Sequence, residues 1–277
     1  MKRTFEEYAY HLTGSASLVN HRHKNPDSFE VIQVHSGEGS AFLHDRTYTL
    51  KPGMILFIDA SSLHCILPVN VQEYCRSKLI IDKQYLHDVF TAMQELPVLE
   101  QFFLPPAGKC FYLDKTQAKE ADELFCQMKE AFSSAGSRLE VMMLLFRLFV
   151  LCKSASSQNV NREEDKLAPV MKFIHEHIAE QITLEQVADQ LHMNKYYLCH
   201  LFRRLTGLTL MQYVSEQRIS AAREQLKSSS EPISSIALNC GFAASSHFCT
   251  AFRKREGITP SEFRRNYHRR LTNTAAE

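Results

Sequence analysis

The stretch Tyr196-Tyr197-Leu198-Cys199-His200-Leu201-Phe202-Arg203-Arg204-Leu205-Thr206-Gly207 has an ungapped counterpart fifty residues on, Ser246-His247-Phe248-Cys249-Thr250-Ala251-Phe252-Arg253-Lys254-Arg255-Glu256-Gly257. Leu198 aligns with Phe248, Phe202 with Phe252, the basic pair 203/204 with 253/254, and Gly207 with Gly257. A second pair of matching passages lies just upstream. Leu184, Val187, Ala188, Leu191 and Met193 correspond to Ile233, Ile236, Ala237, Cys240 and Phe242 at an offset of forty-nine, so the second copy has one extra residue in its turn. A short helix of apolar spacing, a tight turn and a second helix make a helix-turn-helix, and here the pattern occurs twice.

The second helix of each unit has two unlike sides. Leu198, Leu201, Phe202 and Leu205 stand at i, i+3, i+4 and i+7, a spacing that predicts one buried side. Tyr196, Cys199, His200 and Arg203 share the opposite side. In the second unit Phe248 and Phe252 point inward, which leaves Ser245, Ser246, Cys249, Thr250 and Arg253 outward. A helix of this kind fits the major groove of DNA, with outer side chains at base edges and cations at phosphates. The base-edge candidates are Tyr196, Cys199 and His200, then Ser245, Ser246 and Thr250. None is the Arg, Asn or Gln that makes strong bidentate base contacts, so sequence preference is expected to lean on DNA shape and on thymine methyls. Arg203, Arg204, Arg253 and Lys254 are read as phosphate contacts, which position without specifying, and Lys195 joins the DNA-binding set. A plain helical bundle with a solvated charged face would explain one such unit. Two of matching pattern, joined by a long helix from Leu208 to Leu226, point to DNA.

Further residues around these helices carry a family resemblance. Arg218-Ile219-Ser220-Ala221-Ala222-Arg223-Glu224-Gln225-Leu226, Ile233-Ser234-Ser235-Ile236-Ala237, Cys240-Gly241-Phe242 and Gly257-Ile258-Thr259-Pro260-Ser261-Glu262-Phe263-Arg264 resemble the AraC/XylS family of bacterial transcription regulators. The likeness covers about the last hundred residues. The sequence departs from the family at Ala243 and Ala244, where an acidic or polar residue is usual, so the second reading helix has only Ser245 to help cap it.

Length and charge agree with two domains of ordinary size. Of the 277 residues, 1–166 hold 18 basic against 21 acidic side chains, net −3, and 167–277 hold 14 against 10, net +4. The basic half is the one with the duplicated units, as phosphate contact requires. Eight cysteines, none spaced Cys-x-x-Cys, read as reduced thiols of a cytoplasmic protein. No stretch reaches the roughly 18 apolar residues of a membrane span. The opening Met1-Lys2-Arg3-Thr4-Phe5-Glu6-Glu7 lacks the apolar core of a signal peptide.

Residues 1–20 are polar and weakly patterned. From Phe29 the chain turns strand-like: Phe29 to His35, Ser40 to Leu43, Tyr48 to Leu50, Met54 to Ile58 and His64 to Leu67, with turns at Gly37-Glu38-Gly39 and Pro52-Gly53. Short strands at close spacing suggest a small barrel or jelly roll. His21-Arg22-His23, Glu30, Gly37, Pro52-Gly53 and His64 resemble the two cupin motifs, in whose metal-binding members such residues converge on one ion. AraC-type regulators commonly carry a degenerate cupin that binds a small molecule without metal. The resemblance therefore implies no cofactor, and a sugar or related metabolite as effector, with His21, His23, Glu30 and His64 as effector-binding candidates.

Residues 83–150 read as helical, with Tyr85, Leu86, Val89 and Phe90 in one amphipathic run and Ala121, Leu124, Phe125 and Met128 in another. Val141, Met142, Leu144, Leu145, Leu148 and Phe149 form either plain core or a surface for a second copy of the chain. Family resemblance implies a homodimer through this domain. Lys153 to Lys166 has linker composition, dividing a cupin-like domain at 1–152 from a double helix-turn-helix domain at 167–270. Thr183 with Gln186 predicts a capping box. Arg264, Arg265, Arg269 and Arg270 make a basic end suited equally to phosphate contact or to solvation. The expected class is α+β, a cupin-like β-barrel with dimerisation helices followed by an all-α double helix-turn-helix. The expected function is a ligand-responsive activator or repressor of a carbon-utilisation operon, with double-stranded DNA as partner. A metal-dependent cupin enzyme with a helical accessory domain and a constitutive DNA-binding dimer are the alternatives.

Overall fold

The computed structural model describes residues 5–13, 27–43, 46–103, 109–133, 138–155 and 167–274. The chain divides into two compact units, one running to Asp165 and the other starting at Lys166, apart from Leu205–Gly207, which group with the first.

The first unit contains β1 (Phe5–Thr13), β2 (Ser28–Ser36), β3 (Gly39–Leu43), β4 (Arg46–Leu50), β5 (Met54–Asp59), β6 (His64–Pro68), β7 (Cys75–Asp82) and β8 (Lys109–Tyr112). They pair antiparallel into a five-stranded sheet of order β1-β7-β2-β5-β8 and a three-stranded sheet of order β4-β3-β6. Ile32, Val34, Leu56 and Ile58 of the larger sheet meet Ala41, Leu43, Leu50 and Ile66 of the smaller in one apolar interior. Two sheets closed over a shared interior are the sandwich form of a small barrel. Gly53, at φ 82°, makes the turn into β5, and its N–H donates to the Val34 carbonyl at 2.9 Å. The left-handed backbone there favours glycine.

The other face of the larger sheet is buried too. Phe29, Val31, Ile55, Phe57, Leu79 and Ile81 pack beneath α1 (Lys83–Ala92), α2 (Leu96–Phe103), α3 (Lys115–Ser133) and α4 (Arg138–Ser154). The Phe57 ring lies 4.8, 5.5 and 5.5 Å from the rings of Phe102, Phe103 and Phe149. Helices on one side and the second sheet on the other leave the central strands β2 and β5 almost wholly buried.

Some expectations change here. Residues 5–13 are a strand despite their polar pattern, because β1 finds its partner in β7, with Phe5 opposite Ile81 and Thr13 opposite Cys75. β7 and β8 are likewise strands that local pattern did not announce. In α4, the six residues that could have been either core or partner surface are all buried. The exposed apolar stripe of that helix is instead Leu139, Met143 and Val150.

The second unit is all helix: α5 (Ala168–Glu176), α6 (Leu184–Gln190), α7 (Lys195–Thr206), α8 (Leu210–Ser228), α9 (Ile233–Asn239), α10 (Ser245–Glu256) and α11 (Pro260–Thr274). The predicted capping box opens α6, where the Gln186 N–H donates to the Thr183 hydroxyl at 3.2 Å and the Thr183 N–H donates to the Gln186 side chain at 2.8 Å. Thr209 and Gln212 repeat it at the start of α8. The two helix-turn-helix turns are built differently. The first uses His192 at φ 53°, and the aligned position of the second is Gly241 at φ 82°. A Cβ on Gly241 would lie 2.5 Å from the Ile178 carbonyl oxygen and 2.9 Å from Arg218 Nε. Left-handed backbone and no room act together, so Gly241→Ala should cost more than about 1 kcal/mol, whereas His192→Ala should change stability by less than that. Chemical denaturation of the two variants checks this.

Candidate nucleic-acid interface

The second helix of the first helix-turn-helix is α7. The Asn194 side-chain carbonyl caps its start, accepting from the N–H groups of Tyr196 at 2.9 Å and Tyr197 at 3.3 Å. Leu198, Leu201 and Phe202 are buried, and the Phe202 ring meets Tyr213 of α8 at 5.5 Å. This packing turns the other side outward. Tyr196 is 75 % exposed, and Lys195, Cys199, His200, Arg203 and Arg204 are exposed as well. Lys195 reaches Glu185 of α6 at 3.6 Å and lies 5.4 Å from the centre of the Tyr196 ring.

Its counterpart in the second helix-turn-helix, α10, is anchored through aromatic rings. Phe248 and Phe252 are fully buried, and their rings stand 5.2 Å from Phe242 and 5.5 Å from Phe263 respectively. Ser246, Thr250, Arg253 and Lys254 are exposed, while Ser245 and Cys249 are half-buried. The Thr250 hydroxyl donates back to the Ser246 carbonyl at 3.0 Å and so presents its oxygen as an acceptor. Ser245 supplies no cap. The N-cap is Ala244, without a side-chain hydrogen bond, so the first N–H groups of α10 lack the side-chain acceptor that α7 has in Asn194.

Not every cation near these helices is free for phosphate. Arg255 turns inward, donating to the Glu216 carbonyl at 2.6 Å and pairing with the Glu216 and Glu256 carboxylates at 3.3 and 3.4 Å. Buried Arg223 of α8 also pairs with Glu256, at 3.5 Å, which ties the end of α10 to the long helix. Arg264 donates to the Glu231 carbonyl at 2.6 Å, a third role besides the two that the sequence pattern allowed. The sequence did not single out Arg218 for a role of its own. Its guanidinium donates to the carbonyls of Ile178, at 2.9 Å, and of Glu180, and lies 5.9 Å from the Phe242 ring.

In the first unit, Glu30 and His64 do come together. His64 Nε2 lies 3.5 Å from one Glu30 carboxylate oxygen, and Lys78 Nζ lies 3.1 Å from the other, all inside the barrel. His21 and His23 lie outside the described residues. Among the described residues no three His, Cys, Asp or Glu side chains are grouped as metal ligands. Two polar residues not picked from the sequence share the interior. Arg76 is 1 % exposed, and Tyr74 is fully buried. Burial pushes the Tyr74 hydroxyl up to about 12, with the Arg76 charge pulling the other way. The signal for Arg76 was weak, since a charged residue alternating with apolar ones usually marks a solvated face.

Comparisons with known proteins bear on both units. A family model described as an AraC-like ligand binding domain matches residues 7–149, and one described as a helix-turn-helix domain matches residues 187–266. The HTH-type transcriptional activator RhaS of Escherichia coli O81 (strain ED1a) is 25% identical over 254 residues, covering 90% of this chain and 88% of that protein. Among solved structures, the DNA-binding domain of AdpA in complex with a target DNA is 31% identical, with a TM-score of 0.37, over 38% of this chain and 94% of that one. An AraC-type regulator from Chromobacterium violaceum is 29% identical, with a TM-score of 0.35, over 36% and 90%. Among the described residues no helix is long and apolar enough to cross a membrane.

Proposed function

The chain belongs to the AraC family of helix-turn-helix transcription regulators, and from that premise we propose that it binds double-stranded DNA through α7 and α10 together. It is a regulator, not an enzyme. The observation that carries the docking is the shared build of the two helices. Each buries paired apolar anchors, Leu198 with Phe202 and Phe248 with Phe252, and each exposes the opposite polar side. Two such helices of one chain suit successive major grooves on one face of DNA, about 34 Å apart. Tyr196, Cys199, His200, Ser245, Ser246 and Thr250 then face base edges, and Lys195, Arg203, Arg204, Arg253 and Lys254 face the backbone. Footprinting tests this: two protected patches one helical repeat apart are expected, and a single patch would count against it.

The first unit is read as the effector domain, taking a sugar or related metabolite and acting on a carbon-utilisation operon in the cytoplasm. Effector binding shifts the DNA-bound population, a coupling typically worth about 1–3 kcal/mol. A barrel built only for assembly has no need of the buried Glu30, His64, Lys78 and Arg76, which is why the constitutive alternative ranks second. Gel shifts with and without candidate metabolites separate the two.

The same unit is read as the dimer contact. Leu139, Met143 and Val150 of α4 are 66, 60 and 69 % exposed, and with half-buried Phe146 they follow the 4-3-4 spacing of a coiled-coil seam. A second copy of the same helix presents the same stripe, as a two-fold contact requires. The paired substitutions Met143→Glu and Val150→Glu should therefore convert a dimer to a monomer in light scattering without changing the circular dichroism. A wild-type chain that is monomeric at micromolar concentration would reject this reading.

A further inference from the structure

We propose that the effector is an organic acid whose carboxylate is received by Arg76 inside the barrel. The inference rests on the reading of the first unit as an effector domain and adds the ligand's charge.

Arg76 sits on β7 opposite Val34 of β2, so its side chain shares the interior face with Val34 and Ile32. It is 1 % exposed, and among the described residues neither its Nε nor its Nη1 has a hydrogen-bond acceptor. The Tyr74 hydroxyl, in the same interior, lies close enough to Arg76 to feel its charge, but it is neutral and cancels none of it. The Glu30 carboxylate is already engaged, by Lys78 at 3.1 Å and His64 at 3.5 Å. A buried lysine or histidine can escape an unfavourable site by losing its proton. A guanidinium cannot, so its charge persists wherever the fold puts it. A persistent buried cation without an anion destabilises the free protein, and such an arrangement is relieved when an anion arrives.

The chemistry of the ligand follows. The hydroxyls of a neutral sugar make ordinary hydrogen bonds to a guanidinium, whereas a carboxylate makes the shorter, charge-assisted kind and cancels the charge. The Tyr74 hydroxyl can donate to the second carboxylate oxygen or bond a ligand hydroxyl. A sugar acid or another small hydroxylated carboxylate suits this pair, and a neutral sugar leaves Arg76 uncompensated.

Two measurements on the full chain test the proposal. Without ligand, Arg76→Leu removes an uncompensated charge and should raise the Tm of the barrel transition, by roughly 2–4 °C for each kcal/mol relieved. A lower Tm would mean that Arg76 is bound by its own protein and is not a receptor. With ligand, sodium acetate against sodium chloride at matched ionic strength, and D-glucuronate against D-glucose, should show protection by the carboxylates alone, and Arg76→Leu should lose it. Failure of both carboxylates to protect overturns the proposal. So does protection by D-glucose that survives in Arg76→Leu, although that outcome leaves the effector reading standing. If no small molecule protects and Arg76→Leu also lowers Tm, the anion site and the effector reading fall together.

Discussion

Replacing Arg203, Arg204, Arg253 and Lys254 together by alanine should weaken DNA binding by two to three powers of ten and flatten its salt dependence. All four side chains are exposed, and each pair lies in the last turn of its reading helix. If each neutralises one phosphate, the slope of log Kobs against log salt should become shallower by about 3.6, four times the 0.9 per contact seen for duplex DNA. At about 0.2 M salt that released-counterion contribution alone amounts to roughly 300-fold. The cost to folding should be small, since these exposed cations make a favourable helix-end interaction, worth a few tenths of a kcal/mol each, to which Arg253 adds an attraction to the Glu262 carboxylate. Titrations at several salt concentrations, with thermal melts alongside, measure both. A slope equal to wild type would remove these residues from the interface. Arg255 is the internal control. Because it is turned onto Glu216 and Glu256, Arg255→Ala should lower stability and leave the slope nearly unchanged.

Why those four cations were visible in the sequence, and Arg76 was not, is a matter of periodicity. On α7 the run Leu198, Leu201, Phe202 marks the buried side, and whatever stands opposite is exposed by geometry. The duplication then confirms the pattern from within the same chain. In the barrel the alternation misleads. Cys75–Asp82 alternates polar Arg76 and Lys78 with Ser77 and Leu79, which in a half-solvated sheet would set the charges outward. Here helices cover one face and a second sheet covers the other, so both sets are inside. Only the non-local pairing makes the inward charges apparent. The same holds for β1, whose polar residues show no local strand pattern and which exists through its ladder with β7. Glu30 and His64 were found because a motif pointed to them, although the other partner of Glu30, Lys78, lay outside it. The surface side of α4 stayed open in the sequence for a related reason. When nearly every residue of a helix is apolar, sequence alone does not say which stripe the fold will cover, and the covered stripe contains Val141, Leu145 and Leu148.

Loss of Arg218 should blur the ruler between the two reading helices. Arg218 stands on α8, the helix that joins the units, and its guanidinium bonds the carbonyls of Ile178 and Glu180, in the loop before the first unit. On the other side it lies against Phe242 in the turn of the second unit, where Gly241 leaves no space between the Ile178 carbonyl and Arg218 Nε. Gln181 also donates to the Gly241 carbonyl, at 3.5 Å. One side chain thus binds three segments, and its loss is expected to loosen the spacing of α7 from α10. Arg218→Met keeps the aliphatic stem but removes two charge-assisted hydrogen bonds, a loss of about 2–4 kcal/mol given 1.5–3 for each and some recovery by water. Arg218→Lys should recover little, because an ammonium lacks the planar fork that reaches both carbonyls. The effect on DNA is more diagnostic than the effect on stability. One base pair inserted between the two groove sites moves the second site by about 3.4 Å and turns it about the axis, a displacement that a rigid pair of readers resists. Wild type should therefore lose far more affinity on that insertion than Arg218→Met does, even though the variant binds the original site more weakly. The quantity to compare is the ratio of affinities for the two spacings, which cancels any general loss from partial unfolding. Were the ratio the same in both proteins, Arg218 would be a stabilising residue with no part in setting the distance.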